Sequence, residues 1–403
     1  MERLIVKQWE AFYEFFCRMR FLHGFVYSFD PSGLAGIIRE KIKMVQMAPI
    51  PVFYLGGIRL NKIQLLYLIG YVIFAAYLVK IYLYLRKKYG RNKYIYGHAV
   101  FLSLLPLLVY KIGGLRGYSV FGFLGISYIC FKIIQVVIEC YDGVIKEIDE
   151  FQFIEFLIFF PCLSSGPIDR SRRFAEDDNK IWSRQEYIEL LWTGLYKIIL
   201  GIFYKVACSG FFYYLLQTYF AGRHRPIYLV GYAYIYGLYL FFDFAGYSAM
   251  AVGTSYLLGI KTPDNFNKPF LSVDIKDFWN RWHITLSSWF RDFIFTRFMV
   301  DSARKKRFSN RLTGASVGLI LNMLIMGVWH GLEGHYILYG LYHGILLAVV
   351  EVYQKKSKFY KKYRNNKCYV VCSWFINLNI VMLGFLIFSG YLTEVWNLIL
   401  TRF

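Results

Sequence analysis

The apolar residues of this chain come in blocks long enough to cross a bilayer, separated by short basic or glycine-containing stretches. A helix satisfies every backbone group within hydrocarbon and needs about 20 apolar residues to span about 30 Å. Residues 63–85 meet that requirement most cleanly, followed by the shorter 98–112 and by 119–139. Residues 187–220 are long enough for a helix pair, and 226–260 are interrupted by the polar stretch FDFAGYS. Residues 316–330, 336–353 and 369–400 complete the set, the last long enough for two helices. This predicts an all-α, polytopic membrane protein with roughly eight to eleven membrane helices. Residues 151–163 are too short to cross, carry Pro161 and read as a re-entrant or interfacial piece. Residues 1–47 differ, with scattered charge and no run of spanning length. They read as an amphipathic or poorly ordered lead-in to a membrane domain over 48–403.

Composition agrees with the pattern. The set AVILMFWYC makes up 57% of the chain, against about 45–50% in a soluble average that even counts glycine. Lys and Arg number 47 and Asp and Glu 26, a formal net charge of +21 that suits anionic lipid head groups or an acidic partner. Nucleic acid is disfavoured as the partner, because aromatics and aliphatics fill the stretches between charges and no nucleic-acid signature is present. The seven cysteines are odd in number and lack paired metal spacing, so they read as small core residues. Basic clusters at 86–93, 304–307 and 355–367 mark the cytoplasmic side. The last two flank 316–353, which fits a helical hairpin with both ends facing the cytoplasm.

Two segments carry candidate chemistry. Residues 277–300, DFWNRWHITLSSWFRDFIFTRFMV, group Trp282, Leu286, Trp289, Phe290 and Phe293 on one side when stepped at the helical angle. Asn280, Arg281, Thr285, Ser287, Ser288, Arg291 and Asp292 fall on the other, so one interfacial amphipathic helix is predicted, with His283 on the edge between the arcs. In NMLIMGVWHGLEGHY, His330 ends an otherwise apolar helix. A titratable group at such depth is costly unless it faces a cavity or partner, and burial holds imidazole neutral, the form of a competent general base. Gly331 and Gly334 let backbone and ligand approach, and Trp329 is placed to wall the cavity. His330, Glu333 and His335 do not have metal-motif spacing, and no metal is expected. No nucleophile elbow, Walker loop or dinucleotide fingerprint is present. His343 reads as packing.

The pairing of WNRWHITLSSWFRDF at 279–293 with GVWHG at 327–331 resembles the membrane-bound O-acyltransferase family. FLGISY at 123–128, SGPIDR at 165–170, FFDFAGYS at 241–248 and KPFLSVDIKDFWNRWH at 268–283 look more narrowly like its branch serving D-alanylation of teichoic acid. The resemblance covers about residues 61–353 and departs at the start, where that branch opens with apolar helices. It implies a helical bundle with re-entrant or interfacial helices around a central tunnel. It places catalysis chiefly on His330, with His283 as the second motif histidine. Trp279, Asn280, Arg281, Trp282, Asn322, Trp329, Gly331 and Asp243 are candidates for tunnel-lining or supporting roles. Asn322 or an N–H of His283 are the candidates to stabilise an oxyanion. The resemblance further implies a donor held as a D-alanyl thioester on the phosphopantetheine arm of a carrier protein, with no permanently bound cofactor. Implied partners are that carrier on the cytoplasmic side, an extracellular-side D-alanyl transfer protein and membrane lipids, and the setting is a Gram-positive cell membrane. Carrier proteins are acidic, so Arg304, Lys305, Lys306 and Arg307 form the expected dock. O-acetylation of an exported polysaccharide shares such motifs, and a transporter or flippase also suits inward-facing histidines. Asp243 reads more simply as a buried carboxylate paired with an internal cation or hydroxyl.

Overall fold

The computed structural model describes residues 62–400 except 116, 119, 120, 165 and 224. The lead-in at 1–47 lies outside the described residues. All regular structure among the described residues is helical. Among the described residues seven helical segments are long and apolar enough to cross a membrane: Ile63–Tyr89, Lys93–Gly114, Arg184–Phe220, Pro226–Leu257, Arg311–His330, Gly334–Lys356 and Lys367–Phe388.

Within the described residues several of the expected windows give fewer spans than their length allowed, for local reasons. The expected pair at 187–220 is one helical run. Helix α6 (Arg184–Ile202) passes through π segments Phe203–Cys208 and Leu216–Phe220, with α7 (Ser209–Leu215) between them. A π segment widens the turn without ending the helical hydrogen bonding, so the run stays one helical segment. The polar stretch FDFAGYS does not interrupt α8 (Pro226–Leu257) either. The block at 119–139 becomes α3 (Ile126–Asp142), only 17 residues long and buried on nearly every side. Residues 369–400 yield one spanning helix and a ten-residue one.

Contacts divide the chain into two units, one ending at Ile198 and including Ala251–Thr262, the other formed by Ile199–Met250 and the residues from Pro263 onward. In the first, α1 (Lys62–Tyr89), α2 (Lys93–Leu115) and α3 pack on one another. The polar residues of α3 recur at i, i+3 and i+7 and hold the SGPIDR region. Lys132 Nζ donates to Phe156 O at 2.6 Å, Gln135 Nε2 donates to Asp169 O at 3.2 Å, and Ser171 Oγ donates to Glu139 Oε2 at 3.3 Å. Short helices α4 (Glu150–Ile158) and α5 (Ser171–Asn179) frame that region, with a 3-10 turn at Phe160–Cys162. Residues 151–163, too short to cross a membrane, thus form a short, largely buried element. Gly125 of FLGISY caps α3 at φ 94°, and a side chain there would run into Leu163 O.

The second unit holds α12 (Arg311–His330) and α13 (Gly334–Lys356), an antiparallel hairpin as expected. Before it come α9 (Ile275–Trp279), α10 (Ile284–Phe290) and α11 (Thr296–Arg304). After it come α14 (Lys358–Tyr363), α15 (Lys367–Phe388) and α16 (Tyr391–Leu400). The hairpin and α15 together brace the segment before α9. Ser373 Oγ donates to Val273 O at 2.7 Å, Trp374 Nε1 to Phe270 O at 2.8 Å, and Asn377 Nδ2 to Ser272 O at 3.1 Å. From α13, Glu351 Oε2 accepts from Lys276 Nζ at 2.6 Å, and Gln354 Nε2 donates to Asp274 Oδ2 at 2.8 Å.

Candidate active site

The single amphipathic helix expected over 277–300 is broken. Helix α9 ends at Trp279, the chain turns through Asn280–His283, and α10 restarts at Ile284. The break comes from a distant loop: Asn265 O accepts Ile284 N at 2.9 Å, Asn265 Oδ1 accepts Thr285 Oγ1 at 2.6 Å, and Asn267 N donates to Arg281 O at 3.0 Å. These bonds fix His283 at φ 43°, ψ 52°, the left-handed region. A non-glycine residue held there costs on the order of 1–3 kcal/mol, and such strain gathers at functional sites. A sequence periodicity of 3.6 cannot register one residue's change of backbone sign.

The turn delivers His283 into the protein, not to a helix edge. Its side chain is buried, and its Nε2 has no hydrogen-bond partner among the described residues. The Phe244 ring of α8 stands edge-on to it at 4.7 Å. His330 lies near enough to act on it electrostatically. Burial first, and then His330, push the imidazole of His283 down to about 3, so the ring is uncharged at neutral pH. His330 closes α12, half-buried in an aromatic cage: Trp329 at 4.6 Å, Phe388 of α15 at 5.1 Å, Tyr336 at 6.2 Å and Tyr339 at 6.3 Å between centroids. Gly331 adopts an extended backbone, and a side chain there would strike the Tyr336 ring that stacks on His330. The two motif histidines, from separate segments, are thus brought together.

The other candidates separate. Trp279 and Trp282 are buried; Trp282 packs among Phe241, Phe266, Phe278 and Phe385 and forms a wall. Asn280 instead is exposed, and Arg281 is taken by Asp277 at 2.7 Å, so neither converges on the histidines. Asp243 is likewise engaged elsewhere, paired with Lys205 and accepting from Ser209 Oγ at 3.3 Å. Asn322 is buried with Oδ1 unpartnered, but its eight residues from His330 set it about 12 Å along the axis. His283, by contrast, is within electrostatic reach of that ring. Sequence reasoning missed Tyr336, Tyr339 and Phe388, and passed over His343 as packing. His343 is buried with Nδ1 unpartnered, its ring 5.3 Å from Trp279 and 4.5 Å from Tyr339. The i, i+3, i+7 spacing of Tyr336, Tyr339 and His343 was the available signal. Among the described residues no three His, Cys, Asp or Glu gather as a metal would require.

The depressed value of His283 has a measurable consequence. Above about pH 6.5 the ring is neutral both folded and unfolded. Below it the unfolded chain takes up a proton that the folded ring refuses until about 3, so stability falls progressively across that window. His283→Gly removes the titration and suits the left-handed backbone. The melting temperature of the wild type is expected to fall more steeply below about pH 6.5 than that of His283→Gly, with parallel profiles above pH 7. Equal slopes in detergent melts would show that the ring is solvated.

Residues 61–393 match the MBOAT, membrane-bound O-acyltransferase family, and the chain belongs to it: this is a multi-pass membrane acyltransferase. More particularly, it is 43% identical over 337 residues to a teichoic acid D-alanyltransferase of Bacillus subtilis (strain 168), covering 79% of this chain and 84% of that protein. A teichoic acid D-alanyltransferase of Streptococcus thermophilus is 41% identical over 83% of this chain and 84% of its own. A probable alginate O-acetylase AlgI of Pseudomonas syringae pv. tomato is 30% identical over 66% of this chain and 49% of its own.

Proposed function

We propose that this protein transfers D-alanine to a hydroxyl acceptor in the D-alanylation of lipoteichoic acid, in the cell membrane of a Gram-positive bacterium. The observation that carries the reading is the buried, strained His283 held beside the caged His330. It is supported by the greater identity and coverage of the D-alanyltransferase relatives over the alginate O-acetylases. The donor is a D-alanyl thioester on the phosphopantetheine arm of a carrier protein. His330 accepts the acceptor's hydroxyl proton as the oxygen attacks the thioester carbonyl. His283, in the Nε2–H tautomer, donates its unpartnered N–H to the developing oxyanion. Collapse breaks the carbon–sulfur bond, and the thiolate recovers the proton from His330. The aromatic cage keeps bulk water from competing for the acyl group.

The carrier docks on the basic stretch that begins at the end of α11. Asp301 holds Lys305 at 3.0 Å and Arg307 at 2.6 Å, while Arg304 and Lys306 are exposed and have no ion-pair partner among the described residues. The test offers the purified protein in proteoliposomes a D-alanyl carrier and an acetyl donor. Covalent D-alanyl transfer without acetyl transfer is expected; acetyl transfer alone would favour polysaccharide O-acetylation, and passage without covalent transfer a transporter. In the same assay Arg304→Glu with Lys306→Glu is expected to weaken carrier binding about tenfold at low salt, with the difference shrinking as salt rises. Unchanged binding would remove the dock. An extracellular-side D-alanyl transfer protein completes the route.

A further inference from the structure

A groove of about 650 Å³ opens where α13 ends, α14 crosses and α15 begins. Its lining includes Tyr353, Phe359 and Tyr363, with Cys368, Cys372 and Ile376 on α15. Those last three recur every fourth residue, so they form one continuous stripe running about 12 Å from the start of α15 along a spanning helix. All three are exposed, Ile376 by 58%, and both cysteines are free thiols.

The segment that contributes Phe359, Tyr363 and Asn366 to this groove is one-sided in charge. Between residues 355 and 367 seven are Lys or Arg and none is Asp or Glu. Among the described residues no ion pair holds any of the seven, and the acid preceding them, Glu351, is held by Lys276. Tyr353, Tyr360 and Tyr369 cluster beside them, with centroids 5.6 Å and 6.3 Å apart along the series. Amphipathic rings at this level mark the boundary between head groups and acyl chains. A basic rim above an apolar track asks for a ligand that is anionic at one end and hydrocarbon at the other. An acidic protein would meet the rim but leave the track uncovered.

We infer that this groove binds one anionic phospholipid, its phosphate against the basic loop and one acyl chain along Cys368, Cys372 and Ile376. The inference is independent of the catalytic reading, since none of these residues belongs to the histidine cage.

The full chain in nanodiscs of mixed phosphatidylglycerol and phosphatidylcholine, extracted and weighed by native mass spectrometry, provides the test. The wild type is expected to retain one phosphatidylglycerol in at least tenfold preference to phosphatidylcholine. Cys372→Trp fills the track and leaves the charge untouched; Lys361→Glu with Lys362→Glu and Arg364→Glu reverses the rim and leaves the track. Each is expected to abolish the preference, with melting temperatures showing that the proteins remain folded. In the wild type, phosphatidylglycerol bearing a photoreactive acyl chain is expected to cross-link to the peptide containing residues 368–376. Preference surviving Cys372→Trp would reduce the effect to surface charge and overturn the site. Cross-links that avoid 368–376 would overturn it equally, whatever the variants do.

Discussion

His330→Ala is expected to lower D-alanyl transfer by roughly 10²–10⁴-fold, the usual contribution of a positioned general base. The ring lies against four aromatic groups, three of which also touch one another, Tyr336 with Phe388 at 5.1 Å and Tyr339 with Phe388 at 5.1 Å. The cage therefore survives the truncation. The residue is half-buried at the last position of α12, where its backbone closes no turn that alanine cannot close. Insertion and carrier affinity are expected to be unchanged, so the loss falls on the rate at saturating donor. His330→Gln sharpens the reading: it keeps a hydrogen-bonding side chain of similar reach but accepts no proton near neutrality, and it is expected to be as inactive as alanine. Transfer by His330→Gln within tenfold of the wild type would assign the ring to binding and not to proton removal.

The parts of this molecule that sequence made visible are those set by local pattern. The α12–α13 hairpin followed from two apolar runs flanked by basic clusters, and the candidate role of His330 from a titratable residue ending an apolar helix. What remained hidden was set by partners far along the chain. Asn265 and Asn267 break the 277–300 helix from outside it, which turns His283 inward and leaves Asn280 exposed. The identity of residues 277–300 carries the helical period on both sides of the break, so the amphipathic pattern survives without the helix. Phe244 and Phe388 belong to the site only because α8 and α15 bring them there. Asp243, inside a polar motif, was a natural candidate for chemistry; its partner Lys205 lies in a π segment whose widened turn no periodicity reveals. FLGISY and SGPIDR were legible as motifs but not as architecture. Their glycine cap and the α3 polar ladder show them building the first unit.

Gly340→Leu is expected to cost activity from a position that touches no reacting group. Gly340 and Gly327 face each other across the hairpin: a Cβ on Gly340 would lie 2.5 Å from Met323 O and 3.2 Å from the Gly327 Cα. Gly344 repeats the contact one turn on, 2.9 Å from the Ile320 Cα. The obstructing atoms are backbone, so no side-chain rotation relieves the clash and the helices must separate. Overpacking of this kind costs about 1–3 kcal/mol, visible as a lowered melting temperature in detergent. Separation also displaces what the hairpin carries, His330 on α12 against Tyr336 and Tyr339 on α13. A shift near 1 Å at a reacting centre is worth about 10²-fold in rate. Assayed below its melting temperature, Gly340→Leu is therefore expected to lose about 10²-fold in turnover with carrier affinity intact. Gly340→Ala is expected to fall between, because one methyl asks for a smaller separation. A Gly340→Leu enzyme of normal turnover would show that the hairpin's spacing does not set the position of His330.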